Sequence, residues 1–466
     1  MKGANLPRKK TLIAGILLIS MLGSCTNTAG GIYDTPVSDI SLSSEKENTP
    51  PITYEDFTAE EWLSTVKEAR YNSYQFTIAT SEQGRFVMYA DNSESDVEKS
   101  INKRNALVEE KYGIKIIEKT VRESELINGL NSAASAGLQY ADLISASMPT
   151  LAKLTAAGTL MNLYSLPYYD LNAQFCESEL RQGATGGHAT YVTFDELCMV
   201  QDSAWCTLFN KSLVDADALY KSANDRQWTW DALLTAAKDS GFASYESKDA
   251  LLTVVFTSSG IEPLQSGYGN ALIQYENTEL LDKTAKDVKN VLASASYRTQ
   301  SGDEAKNSFK NGDIAFLLTP LSMIDELSAS GTNFGLLPLP TFDGEYRSVL
   351  SNDAHGISVP INQSDSDRTG ILLTALTAAS YQHIAAAKKT ARIYFDLRDN
   401  GSAIMLSKIY ASLYANVGMI YSGGFPAIDA TSQEAIIEAV ERNKSFADIF
   451  KRQKTQLESV AEKYFR

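Results

Sequence analysis

The sequence predicts an α/β protein with a largely parallel sheet, and two observations support this fold class. From about residue 85, short apolar segments alternate with amphipathic segments of helical spacing, and short turns separate them. Such alternation is typical of strand–helix–strand units whose strands run parallel. The 466 residues are 44% hydrophobic and 21% charged, a globular balance that excludes extensive disorder and suffices for more than one lobe.

Turn residues and apolar runs set the bounds of the predicted elements. Gly113 and Gly137 each follow an amphipathic segment and are expected to end it, because glycine tolerates the backbone conformation found after a helix. In chain order, we predict strand 85–90, a helix ending near 112, strand 114–119, helix 123–136, strand 141–146, and helices 230–239, 282–293, 303–311, 371–378, 385–400, 431–443 and 445–465.

The N-terminus has the composition of an export signal. Four basic residues within 2–10 precede an apolar run over 12–22, which is shorter than the ~20 residues that a membrane-spanning helix needs. The following Leu22-Gly23-Ser24-Cys25 resembles the lipobox of bacterial lipoproteins, in which the cysteine is acylated and becomes the mature N-terminus. We therefore predict that 1–24 is a signal peptide and that Cys25 is lipidated. A plain signal peptide with an incidental cysteine and a one-pass anchor are the alternatives.

Residues 25–83 are predicted to form a lipidated, flexible tether. Residues 26–55 are rich in Ser, Thr, Asn, Glu and Pro and have little apolar periodicity, so burial cannot offset the entropy of ordering them. Thr58 can cap one short helix near the end of this tether, with Glu60 and Glu61 in its first turn.

Charge and motif content exclude several classes of function. The net charge of −15 at pH 7 repels phosphate backbones, so nucleic acid is not an expected partner. The chain has no HExxH, CxxC, EF-hand, P-loop or GxSxG motif, and no GxGxxG follows a strand. No metal and no cofactor are therefore predicted, and binding is favoured over catalysis. Cys176, Cys198 and Cys206 are expected to be buried free thiols, with a Cys198–Cys206 pair as the alternative.

Four groups of segments, in this order and spacing, resemble the extracellular solute-binding proteins of ABC importers, in the group that includes maltodextrin-binding protein. The resemblance implies a two-lobed periplasmic-binding-protein-like fold (type II) with a cleft between the lobes and a helical C-terminal tail. The segments are 108–116 (VEEKYGIKI), 140–144 with 151–163 (ending AGTLMNL), 187–191 with 208–213 and 228–233, and 309–316 (FKNGDIAF) with 335–340 (GLLPLP).

The resemblance also implies how the chain divides between the lobes. The chain would cross from lobe to lobe three times, near 191–195, 317–320 and 353–359. Lobe one would hold 84–191 and 321–353, and lobe two would hold 196–316 and 360–466. A solute in the cleft would contact both lobes, so binding would be coupled to a hinge motion.

Candidate binding residues in lobe one follow the ends of predicted strands, because ligands of open α/β sheets bind beyond the carboxyl ends of the strands. Asp91 and Asn92 follow the opening strand, and Ser145 and Ser147 end the strand over 141–146. The alternatives are that Asp91 and Asn92 cap the next helix and that the serines belong to an ordinary polar loop.

Further candidates lie at the crossings and in the second lobe. Asp195 and Glu196 could accept two hydrogen bonds from neighbouring sugar hydroxyls, although a solvated loop explains them equally well. Trp205 could provide a stacking face, with core packing as the alternative. The remaining candidates are Asn352, Asp353 and His355 at the third crossing and Tyr421 in a glycine-rich loop. By the resemblance, Leu321 replaces a sugar-stacking Trp, which argues against a long maltodextrin.

The predicted function is that of a substrate-binding lipoprotein and not of an enzyme. It would capture a small polar solute, a sugar or oligosaccharide, and deliver it to the transmembrane subunits of an ABC permease. It would act as a monomer, held by its lipid anchor on the extracytoplasmic face of the cell membrane. The alternatives are a secreted carbohydrate-active hydrolase based on Asp195, Glu196 or Asp353, and a lipoprotein that feeds a membrane sensor. Given the net negative charge, a cationic solute is the alternative to a sugar as the ligand.

Overall fold

Two four-stranded sheets organise the part of the chain that the computed structural model describes, which is residues 57–81, 87–89, 92–173, 175–176, 178–269 and 272–466. All of these residues belong to one compact unit, Lys46–Arg466. The strands are β1 (Tyr74–Thr80), β2 (Ile114–Thr120), β3 (Leu143–Ser147), β4 (Gly186–Gly187), β5 (Trp205–Asn210), β6 (Phe242–Ser244), β7 (Gly267–Tyr268), β8 (Phe316–Pro320), β9 (Phe334–Pro338), β10 (Ser348–Val349), β11 (His355–Ser358) and β12 (Leu413–Tyr414).

Helices connect the strands of both sheets, and the first three each begin or end where the sequence predicts, whereas the predicted helix 385–400 is divided into the α-helix Ile384–Ala391 and the π-helix Arg392–Leu397. They are α1 (Ala59–Ser64), α2 (Asp96–Tyr112), α3 (Glu123–Ala136), α4 (Met148–Ala156), α5 (Ser178–Ala184), α6 (Ala216–Asn224), α7 (Trp230–Ala236), α8 (Lys248–Thr257), α9 (Thr278–Leu292), α10 (Gly302–Asn311), α11 (Met323–Ala329), α12 (Ser366–Ser380), α13 (Ile384–Ala391), α14 (Asn400–Tyr410), α15 (Val417–Ser422), α16 (Pro426–Asp429), α17 (Gln433–Arg442) and α18 (Phe446–Tyr464). Thr58 caps α1 in a complete capping box with Glu61. Gly113 and Gly137 end α2 and α3 in the left-handed conformation, as predicted.

The first sheet has the order β11-β3-β1-β2. Strands β1, β2 and β3 are parallel, with Ile78 opposite Leu143 on one side and Glu118 on the other. Strand β11 closes the sheet antiparallel to β3. Parallel strands need covered faces, and α2 lies between β1 and β2 in the chain while α3 lies between β2 and β3. This confirms the predicted α/β class.

The second sheet has the order β6-β8-β5-β9, and its central strands are completely buried. Strand β6 runs parallel to β8, whereas β5 runs antiparallel to both β8 and β9. Two short pairs, β4 with β7 and β10 with β12, complete the strands of the described residues.

The opening strand is not where the apolar pattern placed it. Strand β1 covers Tyr74–Thr80, whereas the predicted strand was 85–90, and 82–86 and 90 lie outside the described residues. Helix α1 and strand β1 therefore contradict a flexible tether as far as residue 83, because β1 is an inner strand of the first sheet. Its seven hydrogen-bonding positions beside β2 explain why a weakly alternating segment becomes a strand.

The predicted division into lobes needs two corrections. Strands β8 and β9 both pair with β5 in the second sheet, so the chain makes no change of sheet near 317–320 and 334–338 does not belong with lobe one. Helices α12 and α13 pack against α2, the helix beside the first sheet, so this part of 360–466 is not in lobe two. The sequence could not show these contacts, since they join segments more than 100 residues apart.

Two passages between the sheets lie close together. The chain leaves the first sheet after Thr193, which bridges Ile357, and enters the second at Trp205. It returns through the loop between β10 and β11, where Leu350 bridges Ala204. The two passages are therefore hydrogen-bonded to each other, which is the arrangement expected at a hinge.

The described residues also show the state of the cysteines, the grouping of potential metal ligands and the length of the apolar helices. Cys176, Cys198 and Cys206 are buried free thiols. In the described part of the chain, no group of three His, Cys, Asp or Glu side chains could hold a metal ion. No helix in that part is both long enough and apolar enough to cross a membrane.

Candidate functional site

A recess opens where β5 begins, beside the passage between β10 and β11. We call it the Trp205 recess. Its lining comes from six segments: the start of β5, the loop after β6, helix α8, the passage itself, and helices α15 and α17. The lining residues are Trp205, Glu246, Ala250, Thr253, Val254, Thr257, Leu350, Ser351, Asn352, Asp353, Met419 and Gln433.

Two buried polar atoms in the recess wall have no hydrogen-bond partner among the described residues. They are the indole Nε1 of Trp205, whose side chain is 1% exposed, and the Oγ of Ser351, which is 3% exposed. Trp205 is held by the pairing of β5, where its backbone lies opposite Pro320. A buried polar atom without a partner destabilises the fold by about 1–3 kcal/mol, so a bound molecule that supplies partners would offset part of this cost.

Two carboxylates line the same recess. Glu246 lies two residues beyond β6 and is half-buried, and Asp353 lies in the passage. Burial raises the pKa of Glu246, and the negative charge of Asp353 raises it further. The two carboxylates therefore face a shared space in which they repel each other.

The rest of the lining is neutral. Val254, Leu350 and Met419 give it apolar contact surface, and Asn352 and Gln433 carry side-chain amides that can both donate and accept hydrogen bonds. Apolar walls with a few convergent polar groups are typical of small-molecule sites. The geometry can thus hold a small solute that has both polar groups and apolar faces.

Three of the predicted site residues meet in this recess, namely Trp205, Asn352 and Asp353. Trp205 is nearly completely buried, so its ring packs in the core, and the residue also contributes to the lining of the recess. Both interpretations of this residue, core packing and a place at the candidate site, are therefore compatible with its position.

Asp195 lies elsewhere and has a structural environment. It is completely buried, with Oδ1 accepting from the backbone N–H of Leu197 at 2.8 Å and Oδ2 accepting from the hydroxyl of Thr377 at 3.1 Å. Burial raises the pKa of Asp195 to about 6, against the opposing effects of these two hydrogen bonds and of the buried Arg104. The carboxylate ties the first passage to α12 and does not line the Trp205 recess.

Glu196 also acts within the fold. Its two carboxylate oxygens accept from the backbone N–H groups of Gln382 at 2.8 Å and Ala385 at 3.3 Å. These groups lie at the start of α13, where a negative charge is favourable because the first N–H groups of a helix have no partner inside it. The side chain is therefore committed to a helix terminus, which is neither the solute contact nor the solvated loop that the sequence suggested.

The predicted residues at the edge of the first sheet are also apart from the recess. Ser145 is buried inside β3, and Ser147 donates from its hydroxyl to Thr150 at 3.1 Å. His355 is buried at the start of β11, directly opposite Ser147 in the antiparallel pair. Asn92 is exposed in a turn before α2, and Asp91 lies outside the described residues.

Tyr421 is a core residue in this structure. Its hydroxyl donates to the backbone carbonyl of Ala184 at 2.9 Å and accepts from the N–H of Tyr191 at 3.1 Å. Its ring packs edge-on against Phe425 and Phe465, and the side chain is 1% exposed. The glycine-rich loop expected to present this ring is instead the short helix α15, so Tyr421 is not available to a solute here.

Sequence reasoning missed Glu246, Ser351, Met419 and Gln433. One signal could have found Glu246, because it follows the short apolar strand β6 in the same way that other strand-end polar residues were chosen. Met419 and Gln433 lie on α15 and α17, more than 150 residues beyond β6, and only tertiary packing brings them to the recess.

Comparison with known proteins assigns the family. Residues 104–393, more than half of the chain, match the model of the bacterial extracellular solute-binding protein family. A search of curated protein sequences found no match. Among solved structures, a cyclo/maltodextrin-binding protein complexed with maltotetraose has a TM-score of 0.56 and 14% sequence identity, over 85% of this chain and 100% of that one.

Two more solved structures have the same fold at low identity. The cyclic α-maltosyl-1,6-maltose binding protein of Arthrobacter globiformis has a TM-score of 0.54 and 13% identity, over 84% of this chain and 99% of that one. The maltose-binding periplasmic protein of Listeria monocytogenes, in complex with maltose, has a TM-score of 0.51 and 14% identity, over 85% of this chain and 100% of that one. The predicted two-lobed binding-protein fold is thus confirmed, and this chain belongs to the bacterial extracellular solute-binding protein family.

Proposed function

We propose that this solute-binding protein is a membrane-anchored lipoprotein that captures a sugar or oligosaccharide in the Trp205 recess and delivers it to an ABC permease. Membership of the family supports solute capture outside the cytoplasm. The solved structures that share the fold carry maltose or maltotetraose, which favours a carbohydrate. The lipid anchor is supported by the sequence around Cys25.

The observation that carries this proposal is the pair of buried polar atoms without partners, Trp205 Nε1 and Ser351 Oγ, in the wall of a recess beside the passages. An indole N–H can only donate, and a hydroxyl can donate and accept. Sugar hydroxyls can accept a hydrogen bond from the indole and exchange one with the serine hydroxyl. The carboxylates of Glu246 and Asp353 can accept hydrogen bonds from further sugar hydroxyls. Apolar C–H faces of the sugar would lie against Val254 and Met419.

The position of the recess supports coupling between binding and closure. Ala204 and Leu350 join the two passages immediately before Trp205 and Ser351. A solute held by residues of both passages stabilises one relative orientation of the sheets, and a permease can then distinguish the loaded protein from the empty one.

Thermal unfolding of the full-length chain in detergent, against sugars, oligosaccharides, amino acids and polyamines, tests this function. A solute at 100 times its dissociation constant stabilises a protein by about 2.7 kcal/mol, so we expect a clear rise in Tm with at least one carbohydrate. Chromatography of the solute afterwards should recover it unchanged. A cleaved glycan would favour the hydrolase alternative, and a response to none of the solutes would contradict the proposal.

Two tryptophan variants locate the site. Trp205→Phe removes an N–H without a partner and leaves a cavity in the core, so we expect a weaker response to the carbohydrate together with a lower Tm of the empty protein. Trp228→Phe is the matched control, because Trp228 is equally buried but donates from Nε1 to the carbonyl of Pro338 at 3.1 Å. That control should lower the Tm by removing a buried hydrogen bond and leave binding intact. Equal binding by wild type and Trp205→Phe would place the site elsewhere.

A further inference from the structure

The charge inside the Trp205 recess is unbalanced. Among its described lining residues, Glu246 and Asp353 are acidic and none is Lys, Arg or His. The lysine closest in sequence to Glu246 is Lys248, and its Nζ lies 2.5 Å from Glu441 on α17, so its charge is already paired. Within the described part of the chain, neither Glu246 nor Asp353 takes part in an ion pair or a hydrogen bond. The two negative charges therefore have no counterion among the described side chains, although Asp353 is exposed to solvent and only Glu246 is half-buried.

A neutral sugar would leave this imbalance in place. Neutral hydroxyls can donate hydrogen bonds to each carboxylate, but they do not remove the repulsion between the carboxylates. Half-burial adds to the cost of keeping Glu246 charged, and burial and Asp353 both raise its pKa. A positive charge between Glu246 and Asp353 would stabilise both ionised groups at once.

A purely cationic solute such as a polyamine would not satisfy the rest of the wall. The indole Nε1 of Trp205 is buried and can only donate, so it needs an acceptor on the solute. A protonated amine has no acceptor. An amino acid would supply one in its carboxylate, but that group would be repelled by Glu246 and Asp353. The acceptor must therefore be neutral, and a hydroxyl or ring oxygen meets this requirement.

From these two requirements we infer that the solute is a cationic amino sugar, whose ammonium group lies between Glu246 and Asp353 and whose hydroxyl or ring oxygens lie against Trp205 and Ser351. The inference rests on the proposed function, and it narrows the substrate class of the same site.

Isothermal titration calorimetry on the full-length chain in detergent tests the inference with matched sugars. Glucosamine and its unacetylated β-1,4 disaccharide carry the charge, whereas glucose, N-acetylglucosamine and the diacetylated disaccharide do not. We expect the better of the two charged sugars to bind at least about tenfold more tightly than its uncharged counterparts. Spermidine serves as the cation without acceptors, and we expect it to bind more weakly than the charged sugars.

Isosteric variants of the two carboxylates provide the second readout. Glu246→Gln and Asp353→Asn should each weaken binding of the charged sugar by about tenfold or more, and neither should weaken binding of N-acetylglucosamine as strongly. Glu279→Gln, at an exposed position in the first turn of α9, is the matched control and should leave both affinities unchanged. Melting of each empty variant checks that it is folded.

Each contrary outcome has a separate meaning. If the uncharged sugars bind as tightly as the charged ones, or if both variants keep full affinity for the charged sugar, the inference is wrong and the carbohydrate function stands. If spermidine binds most tightly, the requirement for an acceptor is wrong, and the inference fails together with the choice of a carbohydrate. If none of the sugars binds, the inference and the proposed carbohydrate function fail together.

Discussion

Replacing Arg392 by Met is expected to lower the free energy of unfolding by about 3–5 kcal/mol, because it leaves the carboxylate of Asp202, which is 14% exposed, without its main counterion. Arg392 is completely buried, and its Nη2 donates to Asp202 at 2.7 Å while its Nη1 donates to Asp325 at 3.0 Å. Burial alone would raise the pKa of Asp202, but the charges of Arg392 and Lys388 hold it below its ordinary value.

Arg392, Asp202 and Asp325 form a charge cluster, and its position explains why removing the guanidinium should destabilise the whole fold. Arg392 begins the π-helix Arg392–Leu397, Asp202 lies in the 3-10 helix Val200–Ser203 directly before β5, and Asp325 lies on α11. The guanidinium therefore joins the first passage to two helices that are distant in sequence. Lys388, whose Nζ is 3.4 Å from Asp202, remains in the variant as a partial counterion. The decrease in the free energy of unfolding should therefore be near the lower end of the predicted range.

Chemical denaturation measures this effect. The control is Arg122→Met, since Arg122 and Glu125 form an exposed pair on α3 and the variant should melt close to wild type. A second variant, Arg392→Met with Asp202→Asn, should recover part of the loss because it also removes a buried charge. If Arg392→Met unfolds at the wild-type midpoint, the cluster does not stabilise the fold.

Replacing Cys25 by Ala is expected to move the protein from the membrane fraction to the soluble fraction almost completely. A lipoprotein is held by acyl chains on this cysteine, and stable anchoring takes more than one chain, so nothing replaces them when the thiol is removed. Labelling with radioactive palmitate should be lost in the same variant. Fractionation of cells that express each form, followed by immunoblotting, measures both the location and the amount.

The control for Cys25→Ala is Cys176→Ala, which removes a buried free thiol and should leave the protein labelled and membrane-bound. If Cys25→Ala remains in the membrane fraction, the apolar run over 12–22 is itself an anchor. If the wild-type protein is soluble and unlabelled, the segment is a plain signal peptide.

The ends of the helices could be predicted from the sequence because they depend on a few neighbouring residues. The capping box at Thr58 and the left-handed glycines at 113 and 137 act within one turn of the helix that they terminate. The strands were less predictable. Tyr74–Thr80 became β1 because both of its edges pair with other strands, and the paired residues come 40 positions (β2) and 65 positions (β3) later in the chain.

The candidate site shows the same limit. Trp205, Asn352 and Asp353 could be chosen from the sequence because they lie at or beside a passage between the lobes. Asp195 and Glu196 have equally suitable side chains, yet the structure commits them to Thr377 and to the start of α13. Hydrogen bonds to segments almost 200 residues away decide which carboxylate is available to a solute, and local sequence carries no information on them.

The sequence by itself determined the α/β class and the resemblance to solute-binding proteins, because these depend on composition, periodicity and motifs of adjacent residues. It also predicts the export signal with its cysteine, on the same kind of local pattern. The tertiary structure alone decided that β9 belongs to the second sheet, that Tyr421 packs in the core, and that Glu246 and Asp353 share one recess with Trp205. The physical reason is that burial and charge balance are sums over neighbours in space, and in this chain those neighbours come from segments far apart in sequence.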